Sequence, residues 1–155
     1  MSNQTIRVRA GALLMRDNQV LLVEIDNDQD GLHYNYPGGG VEPGEGLHEA
    51  LRRELLEEAC AEIEIHRLLC VYEYVPPQAN YRFGSRPGVS FLFLCTLQPG
   101  YEPRLPDVPD PNQTAIRWVN LHQLDDVPVI PHGLQSRLVA ALDMPDHFDP
   151  FAGHW

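Results

Sequence analysis

Three glutamates, Glu54, Glu57 and Glu58, stand three and four residues apart. In a helix that spacing puts all three carboxylates on one face. Like charges on adjacent turns repel, costing roughly 0.2–0.5 kcal/mol per pair in an isolated helix. Such a cluster is either a solvated acidic face, balanced by Arg52 and Arg53, or a place for a positive ion. Its donors are all oxygen, which suits a hard cation. Magnesium takes oxygen ligands in octahedral geometry, commonly one or two carboxylates with waters and substrate phosphates. Just upstream lie Pro37, Gly38, Gly39 and Gly40. A glycine-rich stretch brings bare backbone amides and carbonyls close to whatever the carboxylates hold.

The element that must carry the carboxylates runs from Leu47 to Ala61 (LHEALRRELLEEACA). It contains neither Pro nor Gly and is rich in strong helix formers, with Gly44-Glu45-Gly46 marking its start. Leu47, Ala50, Leu51, Leu55 and Ala59 recur at helical spacing and form one buried stripe. Before it, Ile6–Met15 alternates and then turns apolar. Gln19–Ile25 is the return strand of a hairpin around Asp17-Asn18, and Leu32–Tyr36 is a short extended stretch leading to the glycines. After it, Glu62–Tyr74 reads as a long strand bent near His66-Arg67. Val89–Leu97 is the most apolar run and reads as a central strand covered on both faces. Gln98–Asn112, rich in Pro and acids, is an irregular loop. Thr114–Val119 is a last strand, Leu121–Val127 a short turn or helical segment, and His132–Leu142 a second amphipathic helix. Strands and helices mix without regular βαβ alternation, so a mixed sheet with a helix on each face is the natural architecture.

The stretch from Gly39 to Ala61 resembles the Nudix box, the signature of the Nudix hydrolase family. The matching residues are Gly39, Glu45, Arg53, Glu54, Leu55, Glu57 and Glu58, with Pro37-Gly38 as the usual lead-in. Two positions depart from the motif: Cys60 stands where the family has Gly, and Ala61 where it has a larger aliphatic residue. Glycine there lets a helix end in a left-handed turn, and Cys meets a steric penalty if it must do the same.

The resemblance implies an α/β/α sandwich. It also implies Mg²⁺-dependent hydrolysis of a pyrophosphate bond in a nucleoside diphosphate linked to another moiety, with Mn²⁺ as a substitute metal. Phosphoryl transfer of this kind rests on positioning and charge neutralisation. Carried onto this chain, Glu57 and Glu58 are the principal metal ligands, and Glu54 is a ligand or helps to activate water. The Gly38 or Gly39 carbonyl adds a backbone ligand, and Arg53 orients the carboxylates through charge-assisted hydrogen bonds. Glu45, at the helix start, reads as a structural acid near the positive end of the dipole. Some relatives take a further acid from a late loop, and the candidates here are Glu102, Asp107 and Asp110. Pro76, at its distance from the box, resembles the ADP-ribose-cleaving branch. Cleaning of (d)NTPs and non-catalytic nucleotide sensing are the alternatives. Tyr81, Arg82, Phe83 and Arg86 in the loop beyond Pro76 could stack on a base and hold a phosphate.

The 155 residues fit one domain. The net charge of −11 argues against a nucleic-acid duplex or an anionic membrane as partner. It leaves room for a small phosphorylated substrate whose charge a divalent ion offsets. Three cysteines without a C-x-x-C pair, and no stretch of ~20 apolar residues, suggest reduced thiols in a cytoplasmic chain. The segment Asp143–Trp155, with Phe148, Phe151 and Trp155, either packs back on the domain or forms a homodimer contact.

Overall fold

The computed structural model describes residues 5–80, 82–144 and 149–154. Nine strands form one mixed sheet: β1 (Arg7–Arg16), β2 (Gln19–Asn27), β3 (Gly31–Asn35), β4 (Gly38–Gly40), β5 (Ile63–Tyr74), β6 (Gly88–Leu97), β7 (Gln113–Asn120), β8 (Val129–Ile130) and β9 (Phe151–His154). Two helices, α1 (Leu47–Ala59) and α2 (Gln135–Asp143), complete the fold. The order across the sheet is β8-β3-β2-β1-β6-β5-β9, with β4 paired to β1 and β7 to β2.

Alternation along the strands builds the two layers. In β1, Ala10, Ala12 and Leu14 join Leu21 of β2 against the Ala50, Leu51, Leu55 and Ala59 stripe of α1. Leu13, Val20 and Leu22 point the other way and pack with Leu138 and Ala141 of α2. A residue and its neighbour face opposite sides of a sheet, so one hydrophobic strand feeds both cores. The expected sandwich is therefore present, with a helix on each face.

β1 and β2 form the expected hairpin, in register at Met15 with Val20, and Asp17 adopts φ 53° in its turn. β1 also runs parallel to β6 over eight pairs, from Arg7 with Gly88 to Leu14 with Cys95. β5 pairs antiparallel with β6, and its register shifts between Ile65 and Arg67 and again between Leu68 and Cys70, where the sequence suggested a bend. The acidic, proline-rich stretch before β7 is irregular, as expected. It is tied down by Arg16, which bonds Glu102 and stacks over Trp118.

Several expectations need correction. The glycines are a strand rather than a loop: Gly38, Gly39 and Gly40 pair with Gly11, Ala10 and Arg9 of β1. α1 ends at Ala59, two residues early, because Cys60 turns left-handed with φ 50° and ψ 36°. Its amide and that of Ala61 still satisfy the carbonyls of Leu56 and Leu55. α2 starts at Gln135 rather than His132, after Gly133 at φ 75°. Of the C-terminal aromatics, Phe151 begins β9, an edge strand parallel to β5, held also by Arg137 donating to the Asp149 and Phe151 carbonyls. Phe148 and Trp155 lie outside the described residues. Among the described residues no helix is long and apolar enough to cross a membrane.

Candidate active site

The helix carrying the glutamates lies directly on the glycine strand. With a side chain at Gly39 the Glu54 carboxylate could not sit where it does: a Cβ there would lie 2.1 Å from Glu54 Oε1. Gly38 is gripped at both ends. Its amide donates to Glu58 Oε2 at 2.7 Å, and its carbonyl accepts from Arg9 Nη2 at 2.7 Å. Alternation then turns Gly40 toward Arg7, whose Nε would be 3.5 Å from an added Cβ. The bare strand is thus a thin wall with carboxylates on one side and guanidinium groups on the other.

Arg53 organises the acidic side. It donates to Glu45 through two nitrogens at 2.8 and 3.1 Å, to Glu54 at 2.9 Å, to Glu57 at 3.2 Å and to the Gly40 carbonyl at 3.0 Å. A planar guanidinium can span this many acceptors where an ammonium cannot. The hydrogen bonds that Arg53 donates to Glu45 raise the Arg53 pKa and lower that of Glu45. Glu45 is therefore the anchor of Arg53 more than a dipole partner; Glu49 fills the capping role, accepting the Gly46 amide at 2.8 Å.

Glu58 is the most perturbed of the acids. Burial pushes its pKa up to about 7 against the counteracting Gly38 amide and the Arg9 charge, while the charges of Glu54 and Asp110 raise it further. Glu54 is mostly buried and Glu57 is 55% exposed at its side chain, so the face opens toward solvent at Glu57. Gln113, which is buried, donates from Nε2 to the Glu58 carbonyl at 2.7 Å and fixes the end of α1.

The loop candidates separate cleanly. Glu102 is taken by Arg16 and Asp107 by Arg104. Asp110 is the loop acid whose charge reaches Glu58. Arg82 pairs with Asp30 at 3.5 Å and lies over Phe83, away from the glycine strand. Tyr81 lies outside the described residues. Arg86, by contrast, is central.

Two hollows meet at Arg7 and Arg86. One, open and about 820 Å³, is bounded by Gly40, Glu45 and Glu54. The other, about 320 Å³, is walled by Arg9, His33, Tyr36, Tyr72, Tyr74 and Phe83. Arg7 and Arg9 are two residues apart on β1 and so share a face. Burial, with the charges of Arg9 and Arg86, lowers the Arg7 pKa. Sequence reasoning missed Arg7 and Arg9 because their alternation with Ile6 and Val8 was read only as a strand entering a core. An arginine pair on one strand face, in an acidic chain, was the available signal.

The donor set fits a hard divalent cation in kind: three carboxylates and backbone oxygens around a cradle that a Cβ would fill. Among the described residues no three His, Cys, Asp or Glu side chains converge tightly enough to hold a metal ion, and one nitrogen of Arg53 bridges Glu54 and Glu57.

Comparison with known proteins agrees with this geometry. The sequence matches the NUDIX domain over residues 5–139. It is 39% identical over 80 residues to the human 8-oxo-dGDP phosphatase NUDT18, an alignment covering 52% of this chain and 24% of that protein. The chain thus spans only about a quarter of that relative's length. Among solved structures, a NUDIX hydrolase from Nitrosomonas europaea superposes with a TM-score of 0.72 at 20% identity, covering 93% of each chain. An ADP-ribose pyrophosphatase from Streptococcus suis superposes with a TM-score of 0.63 at 20% identity, covering 97% of this chain and 98% of its own. With the box residues on the helix, the sandwich around them and a match across most of its length, the chain belongs to the Nudix hydrolase family.

Proposed function

We propose that this protein is a Mg²⁺-dependent hydrolase of the pyrophosphate bond in nucleoside diphosphate derivatives, working in the cytoplasm as a single domain. The observation that carries the reading is the meeting of the two hollows at Arg7 and Arg86. A nucleotide laid across them places its base among Tyr72, Tyr74 and Phe83, and its phosphates between the arginines and the acidic face. Aromatic walls suit a base, which offers a flat π face. Guanidinium groups suit phosphate, which they contact bidentately.

Glu57, Glu58 and Glu54 with a glycine carbonyl would hold the divalent ion, which would supply charge neutralisation of the diphosphate and a more acidic water. Gly38 is the backbone candidate, because its carbonyl points off the β1–β4 ladder, whereas Gly39 sits opposite Ala10 at a hydrogen-bonded position of that ladder. Arg53 bridges Glu54 and Glu57 from one nitrogen and aims both. Gln113 keeps the Glu58 turn from fraying. Asp110, whose charge acts on Glu58, is the loop acid that would take a proton.

The test is a panel of ADP-ribose, nucleotide sugars, dinucleoside polyphosphates, and normal and oxidised nucleotides, with Mg²⁺ or Mn²⁺. Wild type is expected to release a nucleoside monophosphate from one class, and the double variant Glu57→Gln, Glu58→Gln to lose that activity. Equal, slow turnover of every compound by both proteins would refute the reading. The ADP-ribose branch rests on Pro76. Cleaning of the nucleotide pool rests on the likeness to the human 8-oxo-dGDP phosphatase, and the same panel separates the two.

A further inference from the structure

We propose that Arg7, Arg9 and Arg86 select substrates ending in a free phosphate monoester, nucleoside di- or triphosphates, over diphosphates esterified at both ends. The inference rests on the hydrolase reading above and names the substrate class for that site. The chain has no lysine; its cations are 11 arginines against 22 acids. Three of those arginines line one cavity of about 320 Å³. Among the described residues, none of the three lies within salt-bridge distance of a carboxylate, although seven other such pairs are formed. Their hydrogen-bond acceptors are backbone carbonyls instead: Gly38 for Arg9 at 2.7 Å and Thr5 for Arg86 at 3.1 Å.

The acids whose charge reaches them are Glu54, beside Arg7, and Glu58, beside Arg9. Both belong to the face that a divalent ion would occupy. Once that ion offsets them, the carboxylates left in the open hollow are Glu42 and Glu45, of which Glu45 is already held by Arg53, and the three guanidinium groups outweigh them. A cluster of like charges held together in a partly buried place favours the ligand that brings the most compensating charge. A doubly esterified diphosphate carries one negative charge per phosphorus. A terminal monoester adds about one more near neutral pH, because its second pKa is about 6. The reaction stays the same: water adds across one phosphoanhydride bond, leaving a nucleoside monophosphate and orthophosphate or pyrophosphate.

The experiment holds the base constant. ADP and ATP are compared with ADP-ribose, and GDP and GTP with GDP-mannose, for wild type, Arg86→Gln and Arg86→Lys. Wild type is expected to favour the monoesters by about tenfold in kcat/KM, mostly through KM, as suits charge-assisted contacts. Arg86→Gln is expected to bring that ratio close to unity, and Arg86→Lys to restore part of it. Arg7→Gln provides a second variant should Arg86→Gln fold poorly. Equal kcat/KM for both classes, a preference for the diesters, or a ratio untouched by Arg86→Gln would overturn the inference. Equilibrium titration of the same nucleotides into the Glu57→Gln, Glu58→Gln protein separates the two readings. If monoesters bind tighter there while wild type hydrolyses nothing, the selection stands and the hydrolase reading falls.

Discussion

Gly38 and Gly39 are adjacent, and replacing each with alanine should produce opposite phenotypes. At Gly39 the new Cβ would lie 2.1 Å from Glu54 Oε1, where ordinary contact begins at 3.4 Å. The obstacle is the far end of a flexible side chain, so the carboxylate can retreat by about 1.3 Å and the fold survives. The retreat breaks the 2.9 Å bond to Arg53, a pair worth about 1 kcal/mol or less at this exposure. Displacement of a catalytic group by ~1 Å can cost about 100-fold in rate. At Gly38 the Cβ would meet backbone instead, 2.2 Å from the Ala10 carbonyl and 2.6 Å from Gly11 Cα, at φ 139°. Backbone strain of ~1–3 kcal/mol and overpacking of similar size add to about 4 kcal/mol. For a domain this long that lowers Tm by roughly 8–16 °C. Thermal melts followed by circular dichroism, with steady-state turnover of the best panel compound, read both effects. Gly39→Ala should keep Tm within about 3 °C while losing about 100-fold in kcat. A Gly39→Ala enzyme with wild-type kcat, or one less stable than Gly38→Ala, would refute the packing argument.

Arg53→Lys should lower kcat about 10- to 100-fold with little change in KM, because one ammonium cannot serve three carboxylates and the Gly40 carbonyl; a larger change in KM than in kcat would contradict this. In chelator, the partly buried Glu58 carboxyl, with its folded pKa raised from 4.5 to about 7, gives stability that is complete below pH 4.5 and is lost as pH rises through 7, by about 3 kcal/mol. Glu58→Gln should flatten that part of the urea-denaturation profile, and an unchanged slope would count against it. Cys60→Gly should raise stability by about 0.5–1 kcal/mol, since glycine takes the left-handed turn without the steric cost. Cys60 alone should react quickly with a thiol reagent at pH 8, because burial pushes Cys70 up to about 11 and Cys95 up to about 12; three fast thiols in the folded protein would contradict the cores described above.

The sequence made the acidic side of the site legible because its spacing is covalent. Glu54, Glu57 and Glu58 must share a face once the segment is helical, and helix formers without Pro or Gly make it so. The hairpin, the bent β5 and the two-sided core were readable from alternation for the same reason. The other side of the site was not readable, because it depends on pairings between distant residues. Arg9 reaches Gly38, 29 positions away, and Gln113 reaches Glu58 across 55. The glycine run gave no sign of being a strand, since glycine disfavours strands and only pairing with β1 makes it one. Nor does the sequence show that Glu102 and Asp107 pair with Arg16 and Arg104 while the charge of Asp110 acts on Glu58, since each partner is fixed only by folding.

The double grip on Gly38 has a consequence for how binding events talk to one another. One residue, with a hydrogen bond at its nitrogen and another at its oxygen, joins an acid on α1 to a cation on β1. Were an ion to draw Glu58 away, one hand of that grip would loosen, and the amide so freed is joined to the carbonyl that Arg9 holds only through the Gly38 Cα. A metal drawing on Glu58 and a nucleotide drawing on Arg9 would then meet at this one residue, and the affinity of each should be found to depend on whether the other is already in place.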